Sequence, residues 1–239
     1  MSDSSAVGFT LDGAVAVIQL DDGKANALSS EVIASLHAAF DRAEKEAGAV
    51  VLVGRPGRFS AGFDLSTMMS GADGARRLVT EGAELLMRVY LHPQAVVAAC
   101  TGHALAAGAL MLLAADRRIG VEGDFKIGLN EVAIGLRLPV FAIELARDRL
   151  SKRHFPQASV LARVYSPSEA RDAGYLDEVV APQELVAMSK AEAAHLASLP
   201  AAALAVTKRL VRAPLVEHIR ETLEADMKQV APPTQAGRP

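Results

Sequence analysis

The chain has one cysteine, no tryptophan and only 4% aromatic residues. A single cysteine, Cys100, excludes an internal disulfide and cannot head a cysteine-rich metal site. Its neighbours Val97-Ala98-Ala99 and Thr101-Gly102 place it at the end of a buried strand, where cysteine behaves as a small hydrophobe. A core without tryptophan must be built from Ala, Val and Leu, which suits closely packed helices better than an aromatic-rich β-sandwich. No long Lys/Arg block is present and the net charge is −3, so neither nucleic acid nor an anionic membrane is expected as a partner. No uncharged run reaches the ~18 residues of a bilayer span. Met1 to Ala6 lacks the basic-then-apolar order of a signal peptide, and Gly237-Arg238-Pro239 matches no peroxisomal address. The expectation is a soluble, cytoplasmic protein.

What is there is globular. Hydrophobic residues make up 51% and charged residues 22% of 239, enough to bury a sizeable core in one large domain or one domain with an appendage. Alternating apolar residues on either side of Asp12-Gly13 predict a hairpin. Ser29-Ser30-Glu31 opens a helix whose Val32, Ile33, Leu36, Ala39 and Phe40 share one face. Ala49 to Val53 and Ala95 to Cys100 read as buried parallel strands, and Arg118 to Val121 as a third. A helix is expected over about 74–91, stopped by His92-Pro93, and an Ala/Leu helix follows Gly108. Helices dominate after Pro139, and a last helical segment covers 201–230. Strand–helix alternation followed by helices gives an α/β chain with a helical C-terminal segment.

The familiar cofactor signatures are missing: no Gly-x-Gly-x-x-Gly, no Walker loop, no Gly-x-Ser-x-Gly elbow. The six histidines show no ligand spacing and read as structural or surface residues, so no metal site is expected. Two small-residue loops stand out. Phe59-Ser60-Ala61-Gly62-Phe63-Asp64-Leu65 follows a buried strand, and Gly102-His103-Ala104-Leu105-Ala106-Ala107-Gly108-Ala109 leads from another strand into a helix. Such loops let backbone N–H groups approach a ligand, and a helix N-terminus adds its dipole. Together they could form an oxyanion hole for a carbonyl that becomes an enolate; ordinary tight strand-to-helix packing is the other reading. The third feature is Ile127 to Leu136, which holds one carboxylate, Glu131. On the surface it is one more solvated glutamate; buried without a cation, it has a raised pKa and serves as a base near neutral pH.

These segments resemble the crotonase (enoyl-CoA hydratase/isomerase) superfamily over nearly the whole chain. Phe59 to Leu65 is similar to its F-[SA]-A-G-x-D-[LI] loop, Thr101 to Gly108 to its N-G-x-A-x-G-G-G loop, and Lys24 to Ser29 to its N-A-L-[SN] CoA-binding segment. Ser166 to Val180 matches the stretch written E-A-x-x-x-G-L-V-D-x-V. The resemblance implies the ClpP/crotonase fold, an α/β spiral of ββα turns stacking two sheets. The core spiral is expected at 1–190, a C-terminal helical segment at 191–230 making oligomer contacts, and a flexible tail at 231–239. A homotrimer or dimer of trimers follows by the same resemblance.

Carried over, the two oxyanion donors are the N–H groups of Ala61 and Ala107, around the thioester oxygen of an acyl-CoA. Lys24, Ala25, Ala27 and Leu28, with Phe63, Asp64 and Leu65, line the adenine and pantetheine path, Lys24 near the phosphates. No metal or redox cofactor is implied, because CoA belongs to the substrate. Hydratases of the family carry a glutamate where this chain has Leu110, and a second one at Glu131. One carboxylate anchors water poorly but suffices to move a proton from C2 to C4 of a 3-enoyl-CoA. Ile127-Gly128-Leu129-Asn130-Glu131 also resembles the I-G-L-N-E of mitochondrial-type Δ3,Δ2-enoyl-CoA isomerases. Arg137-Leu138-Pro139 lacks the P-G-x-G-G-T of hydratases, and Ala106-Ala107 makes the second loop bulkier than the usual glycines. The expectation is therefore an isomerase with Glu131 as sole acid/base. Hydration or another enolate reaction is the nearest alternative, and a non-catalytic acyl-CoA-binding scaffold the next. A serine protease of the ClpP type lacks its nucleophile, since Ala106 to Ala109 offers no hydroxyl.

Overall fold

The computed structural model describes residues 6–230. The tail expected at 231–239 lies outside the described residues. The chain opens with the predicted hairpin, β1 (Val7–Asp12) and β2 (Val15–Leu20), in antiparallel register from Val7↔Leu20 to Asp12↔Val15. A two-residue β3 (Ala27–Leu28) precedes α1 (Ser30–Glu46), capped as expected by the Ser29 hydroxyl, which accepts from the Val32 N–H. Then come β4 (Ala49–Val53), β5 (Gly57–Ser60) and β6 (Gly62–Phe63), α2 (Leu65–Met69) and α3 (Ala72–Tyr90). The next turn is β7 (Ala95–Cys100), β8 (Gly102–Leu105) and α4 (Ala107–Ala114), followed by β9 (Arg117–Val121) and β10 (Ile127–Gly128). After a single 3-10 turn (Val132–Ile134) lie α5 (Val140–Arg149), α6 (Phe155–Ser159), α7 (Pro167–Ala173), β11 (Glu178–Val180), α8 (Leu185–Ala197) and α9 (Ala201–Met227).

Successive turns send one strand to each of two sheets. β4, β7 and β9 lie in a six-stranded sheet ordered β1-β2-β4-β7-β9-β11; β5, β8 and β10 form a second, parallel sheet ordered β10-β8-β5. This repeating strand–strand–helix path is the expected α/β spiral. The large sheet is covered on both faces, which is why β4 and β7 are apolar at every position rather than alternating. Val50 and Leu52 join the core with α1, α3 and α4, whereas Ala49, Val51 and Val53 face a second layer with Leu185 and Ala193 of α8. The expected 190/191 division therefore falls inside α8, which packs on the main sheet. The few aromatics are core residues, with Tyr90, Tyr165, Tyr175, Phe40, Phe59 and Phe141 fully buried. Cys100 is buried too, and desolvation pushes its thiol up to about 12.

Two stretches depart from the expectation. Gly57 to Leu65, read as a loop, contains β5 and β6, and Gly102 to Leu105 is a strand, β8. These strands are short and glycine-rich, and they exist because each pairs with a sequence-distant partner: Gly57 with Gly102, Gly62 with Ala27. Helix α9 is present, but beside Val216, Ile219 and Met227 it buries three charged residues, Lys208, Arg212 and Asp226. Lys208 and Arg212 both pair with Asp116, and Lys208 also donates to the carbonyls of His92 and Gln94 at 2.8 and 2.7 Å. Val211, on the same helix, is 73% exposed.

Candidate active site

A cavity of about 900 Å³ opens between β3, β6, the N-terminus of α4 and the segment after β10. Its base is built by buried hydrogen bonds. The Asn26 side chain donates to the carbonyls of Leu20, Arg58 and Phe59, and the Ser60 hydroxyl donates to the Asn26 carbonyl at 2.8 Å. Asp22 accepts from the N–H groups of Lys24, Asn26 and Ala27. Burial works against the ionised Asp22, but these N–H donors, with the nearby Arg55, hold its carboxyl below the ordinary range. Asp22 was not singled out from sequence, and Asn26 only as the first residue of the N-A-L-[SN] segment; the role of both in the base is visible only once β3 is laid against β5 and β6.

Lys24, Ala25 and Ala27 line this cavity on one side, and Ala61, Phe63, Asp64 and Leu65 on another. Leu28 does not line it; it lies beneath, 1% exposed. Asp64 caps α2, and hydrogen bonds from the Ser66 and Thr67 hydroxyls and the Thr67 N–H keep its carboxyl ionised below its usual range.

The loops converge, with one correction. The Ala61 N–H donates to the Ala25 carbonyl at 3.0 Å, so Ala61 is not a free oxyanion donor. Farther along, Gly62 donates to the Ser60 hydroxyl at 3.2 Å and Asp64 to the Leu28 carbonyl at 3.0 Å. Phe63, between Gly62 and Asp64, is the remaining candidate donor of this segment. Ala107 is the first residue of α4, where helical N–H groups have no intrahelical acceptor. A Cβ placed on Gly62 would stand 3.2 Å from the Ala107 nitrogen, which measures how closely the two segments meet. Ala106, before it, has φ 50° and ψ −123°, a conformation natural to glycine. Its N–H is tied to the Gly128 carbonyl at 3.0 Å, which joins the helix start to the Glu131 segment.

Glu131 is the acidic group of this junction. It is 8% exposed, lines the cavity with Leu110, and its Oε2 has no hydrogen-bond partner. Desolvation pushes its carboxyl up to about 7, opposed only by its own backbone N–H. Leu110, one turn into α4, is 1% exposed. Farther out, the wall is supplied by Ile134, Leu136, Arg137 and Phe141, with Gln229 and Val230, which no sequence pattern marked, following α9. Arg137 pairs with buried Asp226 at 2.7 Å, which also accepts from the Val140 N–H at 2.7 Å, so the end of α9 is bolted to the start of α5. Among the described residues no helix is long and apolar enough to cross a membrane.

A buried carboxyl poised near neutrality beside a helix N-terminus suits proton transfer at a carbon whose electron pair is drawn into an enolate oxygen. Comparison with known proteins points the same way. An enoyl-CoA hydratase/isomerase family protein from Pseudomonas syringae superposes with a TM-score of 0.92 at 43% identity, covering 94% of this chain and 98% of that one. A putative enoyl-CoA hydratase of Thermus thermophilus is 33% identical over 84% of this chain and 81% of its own length. The mitochondrial enoyl-CoA delta isomerase 1 of Rattus norvegicus is 28% identical over 91% and 77%. The family model for enoyl-CoA hydratase/isomerase matches residues 10–236. With the spiral fold and the converging loops, that match places this chain in the enoyl-CoA hydratase/isomerase family, within the crotonase superfamily.

Proposed function

We propose that this protein is a Δ3,Δ2-enoyl-CoA isomerase. The observation that carries the reading is the carboxylate inventory of the cavity. Asp22 and Asp64 are held ionised by hydrogen bonds, Leu110 is apolar, and Glu131 alone is buried with its pKa near neutrality. A group that must take a proton and give it back works best with a pKa near the working pH.

The thioester oxygen of a 3-enoyl-CoA sits between the N–H groups of Phe63 and Ala107, while Lys24 to Ala27 and Asp64 to Leu65 border the CoA moiety. Ionised Glu131 removes a C2 proton. The electron pair spreads over the dienolate, whose oxygen carries the charge into the two donors, and Glu131 returns the proton at C4. This cycle calls for no cofactor. Leu110 keeps bulk water from the carboxyl and so maintains its affinity for the proton. Assembly as a homotrimer or dimer of trimers is part of the same proposal; Val206, Leu210 and Val211 on α9 are 59%, 73% and 73% exposed and offer apolar surface for it.

The test uses a 3-enoyl-CoA deuterated at C2. One shielded base carrying the same proton predicts measurable deuterium at C4 of the product. Complete loss of label to solvent on every turnover contradicts it. Hydratase names among the relatives keep water addition as the second reading, separated from the first by product analysis.

A further inference from the structure

Helix α3 and the end of α9 pack against each other and border a second, open cavity of about 440 Å³ that shares no lining residue with the active-site cavity. Its charge is one-sided. Arg76, Arg77, Arg220 and Lys228 line it against a single carboxylate, Glu224. The chain as a whole has 28 acidic and 25 basic residues, so carboxylates are not scarce and the imbalance is local. Lys228 is paired with Glu224 at 2.8 Å, and Arg76 with the exposed Asp73 at 3.1 Å. Arg77 and Arg220 have no ion pair among the described residues. One more donor is unspent, because the Arg76 Nε is buried without an acceptor. The rest of the lining is the Thr80 hydroxyl and two apolar side chains, Leu223 and Met227.

A guanidinium presents a planar fork of N–H donors that matches the oxygens of a phosphate. Three of them gathered around one concavity repel each other, and a bound anion removes that repulsion. A flat anionic surface such as a membrane does not enter a concave site, whereas a small ligand does. The two unpaired arginines come from different helices, Arg77 from α3 and Arg220 from α9, so each can take its own phosphoryl group. Leu223 and Met227 offer apolar ground for a ring, and a methionine sulfur makes favourable contacts with aromatic systems. We propose that this cavity is a second ligand site, for a nucleoside diphosphate. Arg77, Arg220 and the Arg76 Nε–H hold the phosphates, and the base lies on Leu223 and Met227. The assignment is one of binding alone; no bond is made or broken there.

The experiment is calorimetric titration of the whole chain with ADP at about 0.15 M salt, where interactions between exposed charges more than ~8 Å apart are screened. Wild type is expected to bind ADP, and the Lys24→Ala variant, altered only in the active-site cavity, should bind it equally well. The double variant Arg77→Ala/Arg220→Ala should bind ADP at least about tenfold more weakly, the worth of one charge-assisted hydrogen bond, and hexanoyl-CoA as wild type does. Arg77→Lys/Arg220→Lys should keep part of the affinity, since lysine retains the charge but not the fork. Pyrophosphate should bind wild type more weakly than ADP, because it leaves Leu223 and Met227 uncovered. Equal affinities would overturn the nucleoside assignment. The site itself is overturned if wild type does not bind ADP, if the double alanine variant binds it undiminished, or if Lys24→Ala abolishes binding instead. A change in sedimentation mass on substituting the two arginines also overturns it, by assigning them to a contact between copies of this chain.

Discussion

Gly62 lies directly over Ala106: a Cβ on Gly62 would stand 3.0 Å from the Ala106 Cβ, 3.0 Å from the Leu105 carbonyl oxygen and 3.2 Å from the Ala107 nitrogen. Its φ of 93° is also one that side-chain-bearing residues avoid. The two donor segments approach as they do because nothing protrudes between them. Gly62→Ala should therefore cost about 1–3 kcal/mol of stability, from strain and displaced backbone. It should lower kcat on a 3-enoyl-CoA by roughly a hundredfold, the usual consequence of spoiling an oxyanion donor. Urea denaturation and steady-state kinetics read the two effects; unchanged kcat in a folded variant would show that this junction is not part of the chemistry.

Glu131 trades stability for reactivity, and the trade has a sign. Its carboxyl titrates near 7 in the fold against an ordinary 4.5. Below pH 4.5 it is protonated in both folded and unfolded chains. Between about 4.5 and 7 the unfolded chain releases its proton while the fold keeps it, so stability declines as pH rises and levels off above 7. The full decline is ~3 kcal/mol. Glu131→Gln, which cannot ionise, should match wild type at pH 4 and exceed it by up to ~3 kcal/mol at pH 8. Equal stability of the two proteins at pH 8 would mean that the carboxylate is solvated or paired.

Asp226 controls the cavity at a distance. Its carboxylate holds Arg137 and the Val140 N–H, and the chain beyond it supplies Gln229 and Val230 to the wall. Asp226→Ala leaves Arg137 its bond to the Asp226 carbonyl, at 2.6 Å, but removes the side-chain bolt. Because Arg137 is partly exposed, the expected destabilisation is about 2 kcal/mol, less than for a fully buried pair. KM for a 3-enoyl-CoA should rise roughly fivefold to tenfold with little change in kcat, since the wall contributes binding that ground and transition states share. A fall in kcat at constant KM would place this end of α9 in the chemistry instead.

The spiral was legible because its strands are locally written. Ala49 to Val53 and Ala95 to Cys100 are continuous apolar runs, as strands covered on both faces must be. Glu131 was legible as the lone charge of its window. The donor at Ala61 was not, because the bond that occupies its N–H comes from Ala25, and no local pattern announces that pairing. The donor proposed in its place, Phe63, lies two residues on. The buried face of α9 was hidden for a related reason. Lys208, Arg212 and Asp226 look like solvated charges until Asp116 and Arg137 are brought against them. Gln229 and Val230 carry no chemical signature at all, and reach the cavity only because α9 docks.

The central claim is that Glu131 alone carries the proton in a double-bond shift. The direct measurement is the appearance of conjugated 2-enoyl-thioester absorbance when wild type and Glu131→Gln are each given a short 3-enoyl-CoA. Wild type should generate the signal, with kcat/KM rising with pH toward a plateau above about 7 as the carboxyl ionises. Glu131→Gln should bind the thioester and lose at least about a thousandfold in rate. Comparable conjugation by the variant, or none by wild type, would contradict the account.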